Sequence, residues 1–118
     1  MAKIDSISAL AKLFLPELVV EHFDLLNHEI KADSHHFYYT EKNIPPIEKA
    51  LKIHSKGFYK QAIVQDFPIR GKSVYLYIKR RKWVAVASGK IIKRDWGLVA
   101  KGTRMTNEFA AFLKELYQ

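Results

Sequence analysis

Residues 73–81 alternate between apolar and polar side chains, and this alternation constrains the fold more than any other feature of the chain. Val74, Leu76 and Ile78 are apolar, and the residues between and after them are aromatic or basic. Successive side chains of a β-strand point to opposite faces of a sheet, so a period of two predicts a strand with one buried face. The second face would present two rings followed by two cations, namely Tyr75, Tyr77, Lys79 and Arg81.

Positive charge is concentrated in the same part of the chain. From Lys56 to Arg104 the sequence has thirteen Lys or Arg and two acids, a local balance of +11. Residues 1–55 and 105–118 have balances of −2 and −1, so the whole chain carries +8. A basic segment between nearly neutral flanks indicates a polyanionic partner rather than a general aid to solubility.

Length and composition indicate one small domain, covering residues 1–118. The chain is 48% apolar and 27% charged, which is typical of a globular protein with a modest core. It has no Cys, which excludes disulfides and thiolate ligands and fits a reducing cytoplasm. We expect no signal peptide, and no stretch approaches the roughly 20 apolar residues of a membrane span. The sequence therefore predicts a cytoplasmic protein with no membrane partner.

The N-terminal part predicts one helix followed by two short strands. Pro16 stops or restarts the helix, and residues 17–23 add one or two turns. Strands are expected at about 24–31 and 35–41, and residues 43–46 break regular structure. The helix is predicted from the helical spacing of Ile7, Leu10, Ala11 and Phe14.

The basic region, residues 54–104, predicts more strands. We expect a strand at 58–66, a turn at 68–71 and a second hairpin within 84–92. A C-terminal helix is expected over 105–118, because Thr106 is a good N-cap and an apolar stripe follows it. That stripe, which would dock the sheet or a partner, includes Phe109, Phe112, Leu113 and Leu116.

The basic and aromatic face of the central strand is compatible with several partners. Duplex phosphates require cations spaced along the backbone, whereas unpaired bases require aromatic platforms, and this face offers both groups. A solvated or protein-binding face and an anionic membrane surface are the alternatives. The membrane is disfavoured because the sequence has no basic amphipathic helix.

Catalytic and metal-binding motifs do not stand out in the sequence. The five His have no H-x-x-x-H spacing, and His35 and His36 would point to opposite faces of a strand. The five Gly are scattered and form no phosphate-binding loop. No nucleophile motif or pair of catalytic carboxylates is found either. We therefore expect no enzyme activity, no metal and no cofactor.

Three segments resemble the N-terminal region of bacterial insertion-sequence transposases. They read I-H-S-K-G-F-Y at 53–59, V-Q-D-F-P-I-R-G-K-S-V-Y-L-Y-I-K-R-R-K-W at 64–83, and R-D-W-G-L-V-A-K-G-T-R-M-T-N-E-F-A-A-F-L-K-E-L at 94–116. In the relatives, H-S followed by D-x-P-x-x-G-x-x-V-x-L-x-x-x-R-R-F/W belongs to a short zinc ribbon. A helix-turn-helix and a catalytic domain of the DDE type follow the ribbon. In some members the N-terminal region is a separate reading frame, and this chain resembles that form.

The chain departs from the family at the zinc site. Relatives have Cys pairs where this chain has residues 43–47 and 83–87, so we expect no zinc. The resemblance implies binding of transposon-end DNA without cleavage, because the acidic triad of the catalytic domain has no counterpart here. A separate catalytic transposase would be the protein partner. The side chains expected to replace zinc by packing are Trp83, Trp96, Phe58 and Phe67.

These patterns predict an α+β fold with an N-terminal helix, a small twisted antiparallel sheet and a C-terminal amphipathic helix. The expected function is binding of double-stranded DNA, and the alternatives are a protein-interaction adaptor and an RNA-associated basic module. Tyr75 and Tyr77 would be a stacking platform or packing residues, whereas packing is favoured for Trp83. The expected DNA-contacting residues are Lys56, Arg70, Lys72, Tyr75, Tyr77, Lys79, Arg80, Arg81, Lys82, Lys93, Arg94, Lys101 and Arg104.

Overall fold

The computed structural model describes residue 10 and residues 14–46, 52–92, 96–98 and 103–116. These contain two helices and seven strands, which confirms the predicted α+β class. The predicted N-terminal helix around Ile7 and Ala11 lies outside the described residues. In chain order the elements are α1 (Glu17–His22), β1 (Phe23–Ile30), β2 (Ser34–Glu41), β3 (Ile53–Phe58), β4 (Ala62–Ile69), β5 (Lys72–Lys79), β6 (Arg81–Ala85), β7 (Ile91–Ile92) and α2 (Asn107–Leu116).

The strands form two sheets, where the sequence predicts a single antiparallel sheet. The first sheet has the order β1-β2-β5-β4, and the second has the order β3-β6-β7. Strands β2 and β5 are parallel, and the other pairs are antiparallel. The correction has a simple cause, because alternation along a strand defines its two faces but not its neighbours. Only Arg80 separates β5 from β6, so the chain crosses between the sheets there.

The core lies on one face of the first sheet. Val74, Leu76 and Ile78 of β5 are buried, which confirms the predicted inward face of this strand. Burial of each such side chain contributes about 1.5–3 kcal/mol. The other buried members of this core are Leu15, Val19, Phe23, Leu25, Phe37, Tyr39 and Val64, and Trp96 and Leu98 pack against them.

Helix α1 begins immediately after Pro16, as predicted. The backbone N–H groups of Val19 and Val20 both donate to the Pro16 carbonyl oxygen, at 3.0 and 3.1 Å. The helix ends at His22 because Phe23 has an extended backbone and continues into β1. A helix of six residues is too short to be stable alone. Its fully buried Val19 therefore holds it on the sheet.

Two of the predicted strand boundaries in the basic region need correction. The predicted strand at 58–66 is divided, because β3 ends at Phe58 in one sheet and β4 begins at Ala62 in the other. The predicted turn at 68–71 is shorter, since Pro68 belongs to β4. Pro is tolerated there because β4 is an edge strand and its pairing with β5 is irregular between Asp66 and Ile69.

The C-terminal helix begins where Thr106 predicts and is attached to β4. The Thr106 hydroxyl accepts the Phe109 N–H at 3.3 Å, as an N-cap does, and donates to Asp66 Oδ1 at 2.8 Å. The Gln65 N–H donates to the Arg104 carbonyl at 2.7 Å, and the Thr106 N–H donates to the Gln65 carbonyl at 2.9 Å. These bonds extend the β4 edge and fix the start of α2.

Replacement of Asp66 by Asn is expected to change how stability depends on pH. Burial raises the pKa of the Asp66 carboxyl above its ordinary value of 3.8. The stability that this group contributes is therefore present below pH 3.8 and is lost as the pH rises through the folded-state pKa. Asn does not titrate, so D66N does not lose this stability. We therefore expect the free energy of unfolding of D66N, minus that of the wild type, to increase between pH 3.8 and the folded-state pKa of Asp66. Urea unfolding between pH 3.5 and 7 measures this difference, and a constant difference would contradict the account.

Candidate nucleic-acid interface

Residues 52–92 present positive charge with no exposed carboxylate. This stretch contains ten Lys or Arg and a single acid, Asp66, whose side chain is buried. Within the described ranges no Lys or Arg side chain forms an ion pair with an Asp or Glu carboxylate, and the one ion-pair contact joins His22 to Glu21. Among the described residues these cations are therefore not neutralised by a carboxylate, and they create a positive surface potential.

Four consecutive cations lie at the crossing from β5 to β6, and we call residues 79–82 with Phe58 and Tyr59 the basic junction. Lys79 ends β5, Arg80 makes the crossing, and Arg81 and Lys82 begin β6. The end of β3 lies beside them, because Phe58 pairs with Arg81 and the Tyr59 N–H donates to the Arg80 carbonyl at 2.9 Å. The junction is thus built from the ends of three strands.

The two rings of the junction sort the four cations into two pairs. Lys79 Nζ and Arg81 Cζ lie 5.1 and 4.9 Å from the centre of the Phe58 ring. Arg80 Cζ and Lys82 Nζ lie 5.0 and 5.5 Å from the centre of the Tyr59 ring. Consecutive residues of extended chain point to opposite sides, which explains why each ring holds alternate cations.

The cation–π contacts order these side chains without removing their charge. Each such contact is worth about 0.5–1 kcal/mol at an exposed site. A cation held over a ring has already lost part of its rotamer freedom. The side chain therefore loses less conformational entropy when it binds a phosphate. Lys79 is exposed, and Arg80 and Lys82 are half-buried, so solvent reaches all three.

Arg81 has a structural task that the other three cations lack. Its backbone N–H donates to Glu41 Oε1 at 3.0 Å, and its Nε donates to the Glu41 carbonyl oxygen at 2.8 Å. One terminal guanidinium nitrogen also donates to Ser55 Oγ at 3.1 Å. Although the sequence groups Arg81 with the DNA contacts, the structure places it between the two sheets.

Glu41 is the residue that joins the sheets, and the sequence analysis did not identify it. Its Oε2 accepts the Trp83 indole N–H at 2.7 Å, and the two side chains are only 2% and 1% exposed. Trp83 is therefore a packing residue, as favoured. A detectable signal existed, because Glu41 continues the inward positions of Phe37 and Tyr39 on β2, where an acid requires partners.

Lys56 lies in the irregular part of β3, opposite Lys82 of β6. Ser55 pairs with Trp83 and Phe58 pairs with Arg81, so the residues of β3 between these two pairs face Lys82. Lys56 is exposed. It adds a cation opposite Lys82.

The tyrosines of β5 use their ring faces within the sheet. Tyr77 stacks on Tyr38 with 4.3 Å between ring centres, and Tyr75 stacks on His36 at 5.4 Å. The Tyr77 hydroxyl is 2.8 Å from His36 Nδ1, and His36 Nε2 is 2.8 Å from Ser34 Oγ. This partly buried network, which the sequence did not predict, favours packing over a base-stacking platform for both tyrosines.

The remaining predicted contact residues are dispersed over the surface. Arg70 is exposed at the turn between β4 and β5, and Arg104 is exposed just before α2. Lys72 is half-buried near His35, and burial together with the charge of Lys72 lowers the pKa of the His35 ring. The predicted contacts that lie outside the described residues are Lys93, Arg94 and Lys101.

The predicted partner-binding stripe of α2 is divided between packing and exposure. Phe109 is buried and lies 5.3 Å from Phe67, ring centre to ring centre. Phe112 also touches Phe67 but is 46% exposed, and Leu116 is 59% exposed. Leu113 is half-buried. Phe109 therefore docks the helix, and the following turns present an apolar surface.

The described contacts of the histidines are with individual rings rather than with a cluster of metal ligands. His35 stacks with His28 and His36 with Tyr75, which confirms that His35 and His36 point to opposite faces. In the part of the chain that the structure describes, no three His, Asp or Glu side chains converge as a metal site would require. No described helix has the length and apolar character needed to cross a bilayer.

Comparison with known proteins does not identify a family or a function for this chain. No protein-family model matches the sequence, and neither a curated protein nor a solved structure matches the chain. The resemblance to transposase N-terminal regions therefore stays a prediction from the motifs. The arrangement of the basic junction is what defines the candidate site.

Replacement of Glu41 by Gln is expected to destabilise the protein by about 1–3 kcal/mol, the cost of an unsatisfied buried polar group. Both carboxylate oxygens accept N–H groups, and an amide would set its own N–H against one of these donors. Exposed Glu17 provides the control, because E17Q should change the free energy of unfolding by less than about 0.5 kcal/mol. Equal urea-unfolding midpoints for E41Q and E17Q would contradict the assigned role of Glu41.

Proposed function

We propose that this protein binds nucleic acid through the basic junction, with double-stranded DNA as the preferred form. The observation that carries this proposal is the sorting of four consecutive cations over two rings, in a stretch without an exposed carboxylate. Such a surface matches the chemistry of a polyanion, whose phosphates release counterions when cations neutralise them.

The proposed phosphate contacts are Lys79, Arg80 and Lys82, with Lys56 beside them. Arg81 acts through its bonds to Glu41, which fix the position of β6 against the end of β2. A guanidinium or ammonium group on a ring face keeps N–H donors for phosphate oxygens. In this proposal the rings of Phe58 and Tyr59 orient the cations, and the cations bind DNA phosphates.

Duplex DNA is favoured over single-stranded nucleic acid for a geometric reason. Single-strand binders present aromatic faces on which bases stack. The ring faces of Tyr75 and Tyr77 are directed at His36 and Tyr38, and those of Phe58 and Tyr59 are directed at cations. A binding mode based on phosphates makes better use of this surface than one based on bases.

The resemblance to transposase N-terminal regions extends the proposal to a biological target. In this extension the protein works in the cytoplasm on transposon-end DNA, and a separate catalytic transposase cuts the DNA. The discriminating experiment compares an element-end duplex, a scrambled duplex and an RNA of equal length at two salt concentrations. Preference for the element-end duplex supports the extension. Equal affinity for both duplexes contradicts it while retaining DNA binding, and preference for RNA favours an RNA-associated module.

A protein-interaction adaptor is the second candidate, and the exposure of Phe112 and Leu116 on α2 favours it. Such binding would depend on apolar contact and would persist at high salt, unlike binding to phosphates. The variant F112S should abolish it. Because Phe112 packs against Phe67 and is not part of the basic junction, F112S should leave DNA affinity unchanged if the two functions are separate.

The variants R80A and K82A should each weaken duplex binding uniformly across DNA sequences. Each removes about one phosphate contact, so the slope of log K against log salt should become shallower by about 0.9. Fluorescence anisotropy of a labelled duplex between 50 and 200 mM salt, roughly the range over which phosphate binding weakens, measures this slope.

Lys31 supplies a matched control for these charge changes. It is exposed between β1 and β2, outside residues 52–92, and K31A removes the same net charge as K82A. We expect K31A to keep the wild-type slope. The proposal fails if the wild type has no salt-sensitive affinity for any nucleic acid, or if K31A and K82A shift the slope equally.

A further inference from the structure

The turn between β4 and β5 holds a residue in a backbone conformation that its side chain disfavours. Arg70 and Gly71 have φ values of +52° and +78°, and Ile69 pairs with Lys72 on either side of them. A two-residue hairpin turn with positive φ at both positions strongly favours Asn-Gly, because a longer side chain is strained in the left-handed region. Gly71 fits its position, whereas Arg70 is retained at a conformational cost.

Within the part of the chain that the structure describes, no ion pair of the Arg70 side chain offsets that cost. Arg70 is exposed at the tip of the hairpin. Across the described ranges no Asp or Glu oxygen lies within 4.0 Å of its guanidinium group. Residues held in disfavoured conformations tend to occur where they serve a function. Its positive charge is the property that neither Asn nor Gly would supply, and its five N–H donors exceed the two of an Asn amide.

The hairpin tip lies at the opposite end of β5 from the basic junction. Strand β5 runs from Lys72 to Lys79, so at about 3.3 Å per residue its ends are roughly 23 Å apart. The strand is hydrogen-bonded on both sides, to β2 and β4, and its inward side chains are buried. The separation between tip and junction is therefore fixed by a rigid element.

We propose that Arg70 is a second phosphate anchor, held by β5 at a fixed distance from the basic junction. This inference rests on the proposed DNA binding. Along a duplex, roughly 23 Å corresponds to about seven base pairs at 3.4 Å each. One DNA molecule would thus contact the junction and the tip together only when it is longer than this span.

The variant R70N tests both the conformational cost of Arg70 and its contact with phosphate. Asn tolerates the left-handed conformation and carries no charge, so R70N should raise the urea-unfolding midpoint while weakening duplex binding. Loss of one phosphate contact should reduce affinity roughly five- to tenfold near 0.1 M salt and make the salt slope shallower by about 0.9. The control R70K keeps the charge, and it should retain most of the affinity without gaining stability.

The span is tested with duplexes of two lengths, each closed at both ends by uncharged linkers. Wild type and R70N should differ in affinity for a 12-base-pair stem and bind a 5-base-pair stem equally, since the shorter stem cannot reach both anchors. Wild-type affinity and slope for R70N on the longer stem would overturn the inference while leaving the proposed function intact. An equal loss on both stems would also overturn it, because the tip would then not act at a distance. Absence of salt-sensitive binding by the wild type would instead remove the proposed function itself.

Discussion

The arrangement of the two sheets depends on the hydrogen bonds that the buried carboxylate of Glu41 accepts from β6. This carboxylate lies at the end of β2 and accepts bonds from the Arg81 backbone and the Trp83 indole, both on β6. The backbone carbonyl oxygen of Glu41 accepts a further hydrogen bond from Arg81 Nε. A buried carboxylate is costly unless its hydrogen-bond donors remain in place, and leaving such a buried polar group unsatisfied costs about 1–3 kcal/mol. The second sheet is therefore held to the first by a polar contact with demanding geometry.

The same contact determines the shape of the basic junction. Because Arg81 is held by Glu41 and Ser55, β6 starts in a fixed position, and its neighbours Arg80 and Lys82 project to the other side, over Tyr59. A direct continuation of β5 would have placed the cations along one longer strand. The crossing instead gathers four charges around two adjacent rings. In this way a structural carboxylate shapes a surface suited to anions.

Local features of the fold could be predicted from the sequence because they depend on neighbouring residues. The inward face of β5, the restart of the helix at Pro16 and the N-cap at Thr106 are confirmed for that reason. The parallel pairing of β2 with β5 and the division into two sheets depend on contacts between residues far apart in the chain. A period of two does not encode them.

The candidate site shows the same limit. The charge count located the basic stretch, but it could not separate Arg81, which supports the fold, from Arg80 and Lys82, which face solvent. Nor could it find the network of Ser34, His36 and Tyr77, because β2 and β5 meet only in the folded sheet. Charge and motif resemblance point to one stretch of sequence, and tertiary contacts assign different tasks to its residues.

Hydrogen exchange in the presence and absence of duplex DNA tests whether the basic junction is the surface that DNA covers. Amide exchange slows where a partner covers the backbone or suppresses local opening. We predict that DNA slows exchange most strongly in residues 58–60 and 79–82, with little change in α2. Slowing confined to residues 107–116, or none in the basic junction at saturating DNA, would contradict it.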